Sequence, residues 1–505
     1  MIKLIYRIES DYMSKKRMLI VTSVTLSVVT ISLGIVKLYQ TYALSNYIGT
    51  VTDTGIDVYI NDDSYASIPA NGSSNVYYML TNTNPGTVKY GVAYQTTSGV
   101  TVKVYDTSED PATGTIEEND KKYIKLHLEN KNSTNKTIEL STVLGYENGG
   151  DLVVPSGVTL VTDTYTPPPT AAEYITKLYT TASKTTVTNN SITYNTAPSV
   201  SLMNDRLGGT TTDLDGGNIR YYGASPNNYI YFNCSDYSNQ TSSTCETWRI
   251  IGVFDGKLKL IRGSQIGTYS WDNKDTSTGA ESNFGKNDWT TARLMKLLNP
   301  SDYYTTDSND NNLGQGLYYN SASGKCYSGQ NNATVDCNFT STGIKNDITR
   351  NMIAETTYNL GGWNSNTVYP NLMYEKERGT TVYTGRPTTP WTGKIALAYT
   401  SDYGYAADLN QCKDKTLYDY NNSTCTSNNW MKAIITNNGS NSGWLLTPYS
   451  GNSYYAWIVT SDGRVTRSNI AYYAYGAVPV LSLSSELGIE SGGDGSSSKP
   501  YKLSA

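Results

Sequence analysis

Histidine occurs once in these 505 residues and phenylalanine four times, and only 16% of positions are charged. One histidine, His127, leaves little room for imidazole-based catalysis, since a serine or cysteine nucleophile is most often activated by a nearby histidine. A net charge of −5 without a basic block gives no footprint for nucleic acid. There is no Cys-x-x-Cys, and the lone histidine lies far from every cysteine, so a zinc site is not expected. Tyrosine supplies the aromatic bulk instead, at 45 residues. It is a ring that tolerates water at one end.

The six cysteines fall as Cys234/Cys245, Cys326/Cys337 and Cys412/Cys425. Three close pairs read as local disulfides of an exported protein. Each loop of about a dozen residues contributes roughly 3 kcal/mol in the chain-entropy model. The N-terminal end agrees. Lys15, Lys16 and Arg17 precede the 19 uncharged residues Met18–Val36, which as a helix span roughly 28 Å, close to a bilayer core. The expectation is a cytoplasmic tail at 1–17 and a retained single-pass anchor at 18–36, with the large C-terminal portion outside. A cleaved signal segment is the alternative. Both export the chain.

The expected fold is mainly β with an α+β head. Residues 46–163 alternate with period two, as in Val100/Val102/Val104, Tyr90/Val92/Tyr94 and Ile124/Leu126/Leu128. Short strands separated by Asn/Gly/Ser clusters predict a β-sandwich stalk. In it His127 falls on the polar face and reads as solvated. A Pro-rich linker and a helix occupy 164–183; Thr170 and Glu173 form a capping box, with Ile175, Leu178 and Tyr179 inward.

Residues 184–505 form the head. Asp255-Gly256 predicts a type I′ hairpin over Trp248–Arg262 that pairs Val253 with Leu258 and Ile251 with Leu260. Helices are predicted at Trp289–Leu298, capped by Asp288, and at Trp430–Ile435. A second hairpin, Tyr455–Thr466, turns at Ser461-Asp462-Gly463. It places Trp457, Val459 and Val465 on the buried face and Ile458, Thr460, Arg464 and Thr466 on the exposed one.

Around that hairpin runs an apolar frame of Trp444, Leu445, Leu446, Trp457, Val459, Val465, Val478, Val480 and Leu483. Between its members lie Tyr449, Ser450, Asn452, Tyr454, Tyr455, Tyr472, Tyr473 and Tyr475, with Arg464 and Arg467 nearby. Tyr supplies rigid amphipathic contact area and Ser and Asn supply adaptable hydrogen bonds, the palette of a binding face. None titrates near neutrality. These residues are the candidate ligand-binding set, for a glycan or a protein outside the cell. No cofactor is expected; Asp307–Asn312 has calcium-loop character but lacks the Gly and Glu of such a loop. Carboxylates scattered over Asp272, Asp275, Glu281, Asp288, Glu375 and Glu377 leave a cell-wall glycosidase as the alternative, and a non-binding envelope protein as a third.

Several runs carry a resemblance. They are Leu202-Met-Asn-Asp-Arg-Leu, Asn218-Ile-Arg-Tyr-Tyr-Gly, Trp248-Arg-Ile-Ile-Gly-Val-Phe, Asn287-Asp-Trp, Trp391-x-Gly-Lys-Ile-Ala-Leu, Asn428-Asn-Trp-Met, Trp444-Leu-Leu-Thr-Pro and Asp494-Gly-Ser-Ser-Ser-Lys-Pro-Tyr. Through them residues 170–505 resemble a domain of unassigned function found in exported proteins of low-GC gut bacteria. More distantly the layout is similar to C-type lectin-like domains, including the variable proteins diversified by retroelements, which end near a Gly-x-x-x-Val strand like Gly476-Ala-Val-Pro-Val480. The resemblance implies a lectin-like head that displays variable Tyr, Ser and Asn positions to a ligand, and it implies no reaction.

Overall fold

The computed structural model describes residues 4–8, 18–22, 44–52, 55–57, 65–82, 86–145, 152, 154–273, 284–305, 313–365, 367–383, 386–387 and 390–504. The chain is mainly β and divides into two units, Met1–Pro168 and Pro169–Ala505. Apart from Met18–Thr22, a strand paired with Leu4–Ile8, the expected anchor lies outside the described residues. Among the described residues no helix is long and apolar enough to cross a membrane.

The first unit is a β-sandwich. One sheet runs in the order Thr164–Tyr165, Val100–Tyr105, Lys121–Asn130, Gly72–Asn82, Leu44–Thr52, Gly55–Asp57. The other runs Val158–Leu160, Val88–Gln95, Lys136–Gly145, Tyr65–Ile68, and Thr113–Ile116 also pairs with Val88–Gln95. The alternating residues meet as expected: Val102, Leu126, Leu128, Tyr90 and Val92 share one buried core. Two expectations need correction. Thr164–Tyr165 is not linker but an edge strand, parallel to Val100–Tyr105. That strand lays the Tyr165 ring on His127 at 3.6 Å, so His127 is buried rather than solvated, and its Nδ1 hydrogen-bonds Asn75 Oδ1 at 2.7 Å.

The second unit opens with the helix Ala171–Thr181. Its capping box is formed: Glu173 N donates to Thr170 Oγ1, and Thr170 N donates to the Glu173 carboxylate. A nine-stranded sheet follows, with Ile219–Tyr221, Glu246–Phe254, Lys257–Arg262, Val480–Ser482 and Ile395–Ala396 adjacent in that order. It is covered on both faces. Trp248, Ile250, Leu258 and Leu260 enter one core with the first helix, while Ile251 and Ile261 enter the other with Met431 and Ile434.

Two-sided burial explains why the hairpin departs from simple alternation. Asp255 and Gly256 have φ of 48° and 71°, the double positive φ of a type I′ turn, and Val253 pairs with Leu258 as predicted. Leu260 pairs with Ile250, not Ile251, because a bulge between Ile250 and Gly252 turns Ile251 to the opposite core. Gly252 is required there, since a Cβ on it would stand 2.1 Å from the Ile219 carbonyl oxygen.

The helix predicted at Trp289–Leu298 is shorter, Arg293–Leu298, with Leu294, Leu297 and Leu298 buried. Asp288 instead closes a turn by accepting from Thr290 N and Oγ1. Trp430–Ile435 forms as predicted. Cys234–Cys245, Cys326–Cys337 and Cys412–Cys425 are all closed as nearest-neighbour disulfides, which fits an exported protein in an oxidising compartment.

Charges are buried where the short helix Thr400–Tyr405 meets the large sheet. Asp402 is fully enclosed and binds Lys259 Nζ at 2.5 Å and Arg220 Nη1 at 2.8 Å, while Arg220 Nε also reaches Asp205. Burial pushes the Asp402 carboxyl up, but Lys259 and Arg220 outweigh it and hold the group at about 2. Removing one partner of such a cluster strands the others in a dry interior. Asp402→Asn is therefore expected to destabilise the second unit by about 3–5 kcal/mol in urea unfolding; a loss under about 1 kcal/mol would show that the cations find water or another acid.

Candidate functional site

The apolar frame forms a floor. Trp444, Leu445, Leu446, Trp457, Val459, Val465, Val478, Val480 and Leu483 are all buried. A five-stranded sheet carries much of it, in the order Thr268–Ser270, Ala474–Gly476, Gly443–Pro448, Tyr455–Val459, Val465–Ile470. Two indoles lock neighbouring segments together: Trp444 Nε1 donates to the Tyr269 carbonyl at 2.8 Å and Trp271 Nε1 to the Leu445 carbonyl at 3.1 Å. The second hairpin has the expected turn, with Gly463 at φ 100° and Val459 opposite Val465. Ile458 is a correction. It is buried, because the first core of the unit lies on its side of the strand as well.

Above the floor the rings form a continuous ribbon. Tyr454 and Tyr455 meet edge to face at 4.8 Å, Phe284 lies 4.9 Å from Tyr454 and 6.4 Å from Tyr472, and Tyr472 lies 4.8 Å from Tyr473. Tyr475 closes the series, 6.0 Å from Tyr473 and 5.0 Å from Trp444 below. Tyr473 is 42% exposed and the other four tyrosines are half-buried. Desolvation pushes the Tyr472 and Tyr475 phenols above their ordinary value, so both stay neutral donors at physiological pH. The arrangement offers flat apolar faces edged with hydroxyls, a surface that can stack on a sugar ring or fill against a protein.

Not every expected residue presents itself. Tyr449 is buried in the core beside Trp457 and supports the ribbon from within. The Asn452 side-chain oxygen accepts the backbone N–H groups of Tyr454 and Tyr455, so it shapes the loop instead of facing a ligand. Ser450 is half-buried on that loop, with its backbone N–H on the Trp363 carbonyl. Arg464 stands at the hairpin tip, bound to Asp462 and to the Tyr418 hydroxyl at 3.1 Å. Arg464 lies opposite Thr460, five residues from Tyr455 and roughly 16 Å away along the strand, so it is separate from the ribbon. The side chain of Arg467 lies outside what the structure describes.

Three residues that hold the ribbon were not in the candidate ligand-binding set, and Asp272 was named only among the scattered carboxylates. Phe284 bridges its two halves. Asn287 Nδ2 donates to the carbonyls of Tyr449, Asn452 and Tyr455 at 2.9, 3.0 and 2.8 Å. Asp272, wholly buried, accepts from the backbone N–H groups of Lys286 and Arg293, and its own N–H donates to the Ala471 carbonyl. Thus Asp272 ties the Phe284 segment to the strand end that carries Tyr472. The Asn287-Asp-Trp run was visible in the sequence, but nothing local said which carbonyls the amide would meet.

The scattered carboxylates are committed elsewhere. Asp272 and Asp288 bind backbone, and Glu377 is buried against Ser401 and Thr447. Glu375 pairs with its neighbour Lys376, and Asp275, Glu281 and the Asp307–Asn312 run lie outside the described residues. Among the described residues no group of three or more His, Cys, Asp or Glu is placed to hold a metal ion.

Two tests follow from this geometry. Asn287→Ala removes the amide shared by three carbonyls of the 449–455 loop and should cost about 2–3 kcal/mol, read as a lower Tm; an unchanged Tm would mean water replaces the amide. Burial pushes the Asp272 carboxyl up to about 7, against the Lys286 N–H and the Arg293 guanidinium, which pull it down. The folded state thus keeps this proton longer than the unfolded chain, whose carboxyl titrates near 3.9. The contribution of Asp272 is fullest below about pH 4 and is lost as pH rises toward about 7. Relative to Asp272→Asn, the native protein should lose Tm across that window; parallel Tm profiles would refute the assignment.

No family model matches this chain, and none of the curated proteins matches it.

Proposed function

We propose that the protein is an exported binding protein, anchored through residues 18–36, whose second unit is a C-type lectin-like head presenting the tyrosine ribbon to a glycan or protein ligand. The observation that carries this reading is the continuity of the ribbon. Tyr454, Tyr455, Tyr472, Tyr473 and Tyr475, joined by Phe284, are exposed or half-buried over a buried apolar floor. A pre-ordered aromatic surface loses little entropy on binding. The three disulfides support the exported setting, and the β-sandwich supplies a spacer. The Tyr, Ser and Asn positions on this hairpin and its flanks are those a diversified face would vary.

Replacing Tyr454, Tyr472 and Tyr473 together by Ser, in the full chain, should weaken binding on a combined glycan and surface-protein array at least tenfold. The variant should retain a single cooperative melt. Unchanged array binding would remove the ribbon from the site, and collapse of the melt would show the rings to be core.

A further inference from the structure

Away from the ribbon, a cavity of about 490 Å³ opens between the start of the hairpin Glu246–Phe254/Lys257–Arg262 and the end of the helix Trp430–Ile435. That volume is within the roughly 300–1,000 Å³ of small-ligand sites. Its charged lining is Glu246, Arg249 and Arg262, with Tyr229, Ser264, Asn437 and Asn438 among its polar groups. Two of the three charges cancel. Glu246 accepts from Arg262 Nε at 3.0 Å and from Trp248 Nε1 at 3.1 Å.

Arg249 is left over. It is 93% buried (7% exposed), and its Nε and Nη2 bind neutral oxygens, Asn228 Oδ1 and the Pro226 carbonyl. The rings of Tyr229 and Trp430 lie 3.7 and 4.9 Å from the guanidinium. Among the described residues no carboxylate pairs with it. Burial alone pulls its pKa down to about 10, with the Tyr229 phenol as the one opposing influence. An uncompensated buried cation is costly unless an anion completes it. The carbonyls at the nearby helix end do not spoil the site for an anion, because those of Ala433, Ile434 and Ile435 already accept from Asn438 N, Asn437 N and Gln265 Nε2.

We propose that this cavity is a second binding site, taking the carboxylate or sulfate group of a sugar-sized organic anion, with Arg249 as its anchoring cation. The planar fork of a guanidinium suits either oxyanion, and the flanking rings orient it. The site is independent of the tyrosine ribbon, and either stands if the other fails.

Calorimetric titration of the full chain with glucuronate, glucose 6-sulfate and glucose at constant ionic strength tests it. At least one anion should bind tenfold or more tighter than glucose, and which one binds tells the group preferred. Arg249→Gln should abolish that binding. Since Arg249 also anchors its own loop, a gentler pair decides the matter if that variant does not fold. Ala433 lines the cavity with an exposed side chain; Ala433→Glu should weaken the anion at least fivefold and Ala433→Lys should strengthen it. Absence of anion binding, or affinities that none of the three substitutions moves, would overturn the proposal.

Discussion

The second unit is held together by two consecutive residues of one short helix. Asp402 faces the nine-stranded sheet and neutralises Lys259 and Arg220 in its interior. Next to it, Ser401 donates from both N and Oγ to Glu377, whose carboxylate also accepts from Thr447 on the five-stranded sheet. Thr400 N adds a bond to Thr447 Oγ1. A fully enclosed polar cluster thus lies among the apolar cores that the two sheets share. Burial pushes the Glu377 carboxyl up, while Arg378 and these hydroxyls pull it back. Polar groups in such a place tolerate only one arrangement, because each misplaced donor or charge is left dry. Greasy packing alone allows sliding; this cluster does not.

The ribbon depends on that rigidity. Its five-stranded platform is bonded through Thr447 to Glu377 and to the helix that carries Asp402, and its loops are tied down by Asn287 and Asp272 rather than by side chains of the ribbon itself. Support and display are therefore separate. Asn287 and Asp272 below satisfy the backbone of the segments that carry the rings. A surface built in this way can change its exposed residues while keeping its shape, which is what a binding face needs if its ligand changes. The Arg249 cavity follows the opposite plan, a deep cation awaiting one kind of group.

Much of this was legible from local pattern. The type I′ turn at Asp255-Gly256, the bulged turn at Gly463, the Thr170 capping box and the three cysteine pairs all formed as read. Each is decided by residues a few positions apart. Three of the misreadings share one cause. Ile251, Ile458 and His127 were assigned a side from alternation, assuming one wet face per strand. In the folded chain, both faces are covered: by Met431 and Ile434 over Ile251, by the first core over Ile458, and by Tyr165 over His127. Tyr449 and Asn452 were read as display residues because their chemistry fits display; tertiary neighbours gave one to the core and the other to the loop.

By itself the sequence determined the class of the protein: β-rich, disulfide-linked, with a frame of Trp, Leu and Val under a Tyr-rich stretch. Period, turn type and composition act over a few residues and need no partner to be read. Only the tertiary structure decided which tyrosines join, that Phe284 links them, that Asn287 and Asp272 hold them, and that Arg249 has no acid beside it among the described residues. Those outcomes depend on hydrogen bonds and ring contacts between groups mostly tens to hundreds of residues apart, and such contacts carry no trace along the chain.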